Sequence, residues 1–124
     1  MHELSIARAL LRLAAQHCPL GTSVKSLHVQ VGPLQAIDPD AMQFAWQAAT
    51  LGTSLMNAEL RLEMLPWRLR CPVCDCQWDA ESLEAACQCG STRGAPVGGD
   101  QLQLDYLEVF EPNGQDKLSP VGRD

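Results

Sequence analysis

Cys71-Pro72-Val73-Cys74-Asp75-Cys76, followed after ten residues by Cys87-Gln88-Cys89-Gly90-Ser91, is the stretch that organises this chain. Two cysteines separated by two residues can place both sulfurs ~2.3 Å from one metal ion on a tight turn, and a second close pair completes a tetrahedron. The spacing therefore predicts a four-cysteine zinc site. Cys71, Cys74, Cys87 and Cys89 are the expected ligands, because they keep the first knuckle intact, and Cys76 is the alternative. Four thiolates leave no position open for substrate or water, so such a zinc is structural and not catalytic.

Disulfides would require an oxidising compartment. The opening Met1-His2-Glu3-Leu4 has neither the basic region nor the long apolar core of a signal peptide. No run reaches the ~18 consecutive apolar residues of a membrane span. A cytoplasmic protein with reduced thiols is expected. The formal net charge of -6 and the pI near 4.9 argue against nucleic acid, since phosphate binding calls for a basic surface.

Outside the cysteine loop the pattern is that of a small α/β unit. Residues 4–17 carry Leu4, Ala7, Leu11, Ala14 and Cys18 at helical period, widened by Ile6, Leu10 and Leu13, before Pro19 and Gly21 stop the helix. Cys18 is expected to be a buried apolar residue there. Leu27, Val29 and Val31 alternate with His28 and Gln30, a half-buried strand that Gly32-Pro33 ends. Asp38-Pro39-Asp40 has the N-cap carboxylate, first-turn proline and first-turn acid of a helix start, and Gly52 is the expected stop. Ala58, Leu60, Leu62 and Met64 give a second strand. Leu102, Leu104 and Tyr106 give a third, whose phase slips near Asp105 to Leu107 and Val109.

The fold class expected is α/β: a small three-stranded mixed sheet packed with two helices, plus an inserted zinc-ribbon-like module built on four cysteines. Residues 1–66 and 98–110 form the α/β domain, 67–97 the module, and the polar stretch 111–124 a flexible tail. The Gly- and Pro-rich run 94–100 is expected to act as a hinge. The exposed edge of such a sheet is compatible with a monomer or a homodimer.

His2 is a candidate metal ligand of a different kind. The α-amine of a retained Met1, the His2 amide nitrogen and the His2 imidazole form two fused chelate rings, a planar nitrogen set that suits Ni(II) or Cu(II) better than zinc. An ordinary exposed histidine at a helix start is the alternative. His17 lies at a helix C-terminus and His28 faces outward, neither with an evident partner. No nucleophile–base set at a recognisable spacing appears, which argues against an enzyme.

The Met1-His2-Glu3-Leu4-Ser5-Ile6 opening, Val31-Gly32-Pro33, the cysteine knuckles with Cys89-Gly90-Ser91, and the strand closing on Leu107-Glu108-Val109 together resemble the HypA/HybF family over nearly the whole chain. These are nickel metallochaperones of [NiFe]-hydrogenase maturation. The resemblance implies a protein that holds Ni(II) at its N-terminus and passes it to the hydrogenase large-subunit precursor alongside a HypB-type GTPase. It places nickel on His2, with Met1 and Glu3 contributing through the backbone, and puts Asp38 where a further carboxylate approaches. Some members also serve urease. The chain departs from the family in having Cys87-Gln88-Cys89 where the second knuckle is usually CxxC. A zinc-ribbon interaction module without a nickel role is the competing function.

Overall fold

The computed structural model describes residues 2–121. Helix α1 spans His2–His17, and strand β1 follows at Ser23–Val31. A 3-10 turn at Pro33–Gln35 leads to α2, Pro39–Thr50. Then come β2 (Glu59–Met64), β3 (Trp67–Arg70), β4 (Gln77–Ala80), β5 (Ala95–Pro96), β6 (Leu102–Phe110) and β7 (Asp116–Pro120). The strands form one sheet in the order β2-β1-β6-β7 and a second in the order β4-β3-β5. The chain divides into two compact units: Val31–Ala36 with Met64–Leu102 make the smaller, and the helices with most of the first sheet make the larger.

In the larger unit the buried stripe of α1 is Ile6, Ala7, Leu10 and Ala14, a spacing of three and four that puts all four on one face. Leu13, placed on that face by the periodicity, is 39% exposed. Asp38 caps α2 as its sequence requires, accepting hydrogen bonds at Oδ1 from the amides of Asp40 (2.9 Å) and Ala41 (3.3 Å). The helix ends at Thr50, and Gly52 follows at φ +78°. Trp46, buried in α2, donates Nε1–H to the carbonyl of Ala58 at 2.9 Å, so the largest core side chain also satisfies a backbone acceptor.

Strand β1 buries Leu27, Val29 and Val31, each at most 1% exposed. In β6 the buried positions are Leu104, Leu107 and Val109, so the phase slips between Leu104 and Leu107 as the sequence indicates. The first sheet has four strands and not three. The polar stretch expected as a flexible tail contains β7, antiparallel to β6 with Tyr106 opposite Pro120 and Phe110 opposite Asp116. The amide of Gly114 donates to Glu111 O (2.8 Å) and that of Glu111 to Gln115 O (2.7 Å), with Gly114 at φ +83°. Pro112-Asn113-Gly114 is therefore a three-residue hairpin loop, a type I turn closed by a left-handed glycine. Local turn chemistry outweighs the polar composition. Residues 122–124 of the expected tail lie outside the described residues.

In the smaller unit β3 pairs antiparallel with β4, from Trp67 opposite Ala80 to Arg70 opposite Gln77, and with β5 through Leu69 opposite Pro96. The glycine-rich exit is not a free hinge: Val97 N–H donates to Arg68 O, and Leu34 N–H to Gly99 O, both at 2.7 Å. Gly32 N–H donates to Gln101 O at 2.7 Å, and a Cβ added at Gly32 would meet the Gly99 carbonyl oxygen at 2.3 Å. No side chain fits there without moving backbone. Gly32→Ala is expected to destabilise the smaller unit by ~1–3 kcal/mol, measured as a lowered unfolding midpoint with amides of residues 97–101 losing protection first.

Candidate metal centres

The cysteine module is built from two short turns. In the first, Cys71 follows directly on β3, its amide donates to Cys76 O (2.8 Å), and Asp75 N–H returns to Cys71 O (2.9 Å). Asp75 sits at φ +64°, a conformation that Asp tolerates better than most residues. In the second turn Cys87 N–H donates to Ser91 O and Gly90 N–H to Cys87 O, both at 2.8 Å, with Gly90 at φ +93°. The left-handed glycine closes the turn despite the missing residue of Cys87-Gln88-Cys89.

These turns bring the sulfurs of Cys71, Cys74, Cys87 and Cys89 within 4.8 Å of one another. Cys71 Sγ lies 3.5 Å from Cys89 Sγ, and Cys74 Sγ 3.4 Å from Cys87 Sγ. A zinc tetrahedron with ~2.3 Å bonds has sulfur–sulfur edges of ~3.8 Å, so the donor set and its spacing fit the ion. Cys71 and Cys87 are buried, while Cys74 and Cys89 are exposed. Cys76 is exposed and outside the group, with Gln88 Nε2 at 4.0 Å from its sulfur. Among the described residues, no other set of three His, Cys, Asp or Glu donors gathers in this way.

The thiols are not equivalent. Hydrogen bonding from the backbone of Cys74, then of Val73, outweighs burial and holds the Cys71 thiol down at about 6. At Cys87 the backbone of Cys89 also acts to lower the value, but burial and the thiols of Cys74, Cys89 and Cys71 push it up to about 12. One thiolate forms readily and the last resists, as expected where four sulfurs share a small volume.

His2 is exposed at the start of α1, and Glu3 is half-buried in the first turn. Met1, expected to contribute its amine, lies outside the described residues. Beside this helix start is an apolar groove of about 400 Å³ lined by Glu3, Leu4, Ala41, Phe44, Ala45 and Ala48. Asp38 is committed to its N-cap, His17 closes the last turn of α1, and Cys18 is half-buried beside Thr22 Oγ1 at 3.3 Å.

His28, expected to stand alone, has three partners on the open face of the sheet. Its Nε2 lies 2.7 Å from Glu108 Oε1 and 3.1 Å from Ser26 Oγ, and Ser26 Oγ donates to the same carboxylate oxygen at 2.8 Å. Tyr106 stacks on the imidazole with centroids 4.0 Å apart and planes at 13°. Alternation puts Ser26 and His28 on one face, but only the β1–β6 pairing, which the sequence does not state, brings up Glu108. Ser, His and Glu suggest a hydrolytic relay, yet serine and glutamate both address the same imidazole nitrogen. A relay needs one on each nitrogen.

Hydrogen bonds from His28 and then Ser26, helped by Arg61, hold the Glu108 carboxyl below the usual glutamate range. A lowered folded-state pKa stabilises the fold fully above the ordinary glutamate value, and that stability is lost as pH falls through the folded-state value. Glu108→Gln is therefore expected to flatten the acid limb of the stability–pH curve, as read by denaturation midpoints between pH 3 and 7. An unchanged limb would remove Glu108 as its source.

Two helices with mixed sheets and a four-cysteine group define a small α/β metal-binding class of fold. Residues 1–109 match the family model described as "HypA: Hydrogenase/urease nickel incorporation, metallochaperone, hypA". The chain belongs to the HypA family. The hydrogenase maturation factor HypA of a Nostoc species is 32% identical over 111 residues, covering 90% of this chain and 97% of that protein. That of Azotobacter vinelandii is 35% identical over 112 residues, covering 88% and 99%. The solution structure of the Ni metallochaperone HypA from Helicobacter pylori shares the fold at a TM-score of 0.59 and 22% identity, over 90% of this chain and 99% of that one.

Proposed function

We propose that this chain carries Ni(II) at its N-terminus and helps insert it into the [NiFe]-hydrogenase large-subunit precursor, working beside a HypB-type GTPase in the cytoplasm. The observation that supports this most is the family match from residue 1 to residue 109, which includes His2 at the exposed start of α1. In this reading His2 supplies its imidazole and amide nitrogen, Met1 its amine, and Glu3 a backbone group. Such a nitrogen-rich set suits the geometry that Ni(II) prefers. An exposed site of few ligands releases its cargo readily, as a donor must.

Cys71, Cys74, Cys87 and Cys89 would hold the resident zinc, with Cys76 outside the shell. That ion would crosslink the two turns and offer no reactive position. The chain's own residues prepare the site: the turn amides at Cys71 favour its thiolate, and Gly90 lets the short second turn close. The larger unit then serves as the nickel-binding domain and the smaller one as the zinc module.

Two experiments test the separation of roles. Cys89→Ser is expected to lose most bound zinc, measured by metal analysis after gel filtration, whereas Cys76→Ser keeps one zinc per chain. Zinc loss in Cys76→Ser would move that residue into the shell. For nickel, tag-free zinc-loaded protein is titrated with Ni(II) beside His2→Ala, by calorimetry and d–d absorption. Stoichiometric planar nickel is expected in the first and its loss in the second, with fold and zinc content unchanged. Binding should weaken below pH ~6.5, where protons compete for the imidazole and amine. Equal weak binding by both proteins would leave the zinc-module interaction protein as the better reading.

A further inference from the structure

Cations are scarce in this chain, and most of them are held by carboxylates. Among the described residues, Lys25 pairs with Asp116, Arg61 with Glu59 and Glu108, and Arg68 with Asp79. Arg70 pairs with Asp75 and Lys117 with Glu111. Arg8, Arg12 and Arg93 have no ion pair among the described residues. Two of these, Arg8 and Arg12, stand about one turn apart on α1, and both are exposed. The core does not use them, since the buried face of that helix is Ile6, Ala7, Leu10 and Ala14. Like charges four residues apart weaken a helix slightly. Nothing in the fold of the larger unit calls for this pair.

Their placement gives them a direction. From His2 the exposed side of α1 runs through Ser5, Arg8 and Arg12 to Gln16, in steps of three or four residues that stay on one face. At the helical rise, Arg8 lies ~9 Å and Arg12 ~15 Å along the axis from His2. The two guanidiniums are thus ~6 Å apart along the axis. Carboxylates at i and i+4 on a helix, or at i and i+2 on an extended segment, have that spacing. Arginine presents a planar fork that takes a carboxylate through two parallel hydrogen bonds. The formal net charge of -6 repels anions from the surface in general, which leaves this face as a local exception. Nucleic acid and lipid surfaces call for larger basic clusters than two side chains. A pair of protein carboxylates is the anion that fits.

We propose that the exposed face of α1 is a docking strip for an acidic segment of the protein that exchanges nickel with this chain, its carboxylates seated on Arg8 and Arg12. The identity of that partner rests on the proposed nickel role of His2, whereas the strip itself rests on the two unpaired arginines. A segment held there is aligned with the helix axis, and its end comes to lie beside His2. The arginines act as positioning residues: they touch the partner and not the metal. Attraction between the strip and the acidic segment raises the rate of encounter and falls with salt.

The test uses the zinc-loaded, nickel-free full chain, read by backbone amide NMR. The probe is a capped alanine-based peptide with glutamates at i and i+4, and the same peptide with lysines is its control. Saturable shifts are expected at Ser5, Arg8, Arg12 and Gln16 with the glutamate peptide alone, fading as ionic strength rises from ~0.05 to ~0.3 M. Arg8→Gln and Arg12→Gln are each expected to weaken binding about two- to fivefold, and Arg8→Glu combined with Arg12→Glu to abolish it. Shifts that are absent, lie elsewhere or persist in the double variant overturn the proposal. So does equally tight binding of inorganic phosphate or of anionic phospholipid vesicles at the same residues. The double variant is expected to bind Ni(II) as the wild type does, yet to pass it more slowly to a glutamate peptide that ends in histidine. An equal transfer rate overturns the assignment of the partner. A wild type that binds the peptide but takes no nickel at His2 overturns the nickel reading and upholds the strip, so the two fail separately.

Discussion

Alternation along β1 is the constraint on which the larger unit depends. Leu27 and Val29 fill the core side of a strand that lies between β2 and β6. The same period of two places Ser26 and His28 on the opposite face, where they meet Glu108. A shift of register by one residue would exchange these sets, burying an imidazole and exposing aliphatic side chains. The cost of that exchange fixes the strand. The bonded polar cluster then reinforces the same register from the opposite face, so both faces specify one pairing.

The smaller unit is built on a different balance. Leu69, Ala80, Cys71 and Cys87 are its main buried residues beyond Val31, an apolar content too small to order some forty residues by itself. Four sulfurs gathered within a few ångströms are a poor substitute for a core when they are thiols, because burial and crowding oppose ionisation, as at Cys87. They become favourable when their protons are exchanged for a cation. In such a pattern metal binding and folding are coupled, and the backbone donors around Cys71 hold its thiol in the range where the thiolate forms readily.

Much of this was legible from short-range chemistry. The N-cap at Asp38, the end of α2 before Gly52, the phase slip in β6 and the grouping of the four cysteines all follow from rules that act within a few residues. Family membership was legible too, because the opening hexapeptide and the cysteine loop occur in one chain in the right order. What was not legible depended on partners distant in sequence. His28 shows its role only once β6 brings Glu108 beside it. Leu13 fits the periodic stripe, yet the face that is buried runs through Ile6, Ala7, Leu10 and Ala14. The hairpin was a different kind of omission: Asn113-Gly114 is a strong turn signal, but the polar composition around it suggested an unstructured end.

The three tryptophans give the molecule its own optical labels. Trp46 lies in the core of the larger unit with its indole N–H bonded to a carbonyl, a dry and uniform setting. Trp67 and Trp78 belong to the smaller unit. Trp78 has a buried Nε1 without a partner and packs so closely that a Cβ at Gly94 would lie 2.8 Å from its ring. Its ring borders the same small cavity as Cys76 and Cys87. Because sulfur near an indole alters its emission, Trp78 is placed to sense the state of the cysteines, while Trp46 senses the core of the larger unit, without any dye attached.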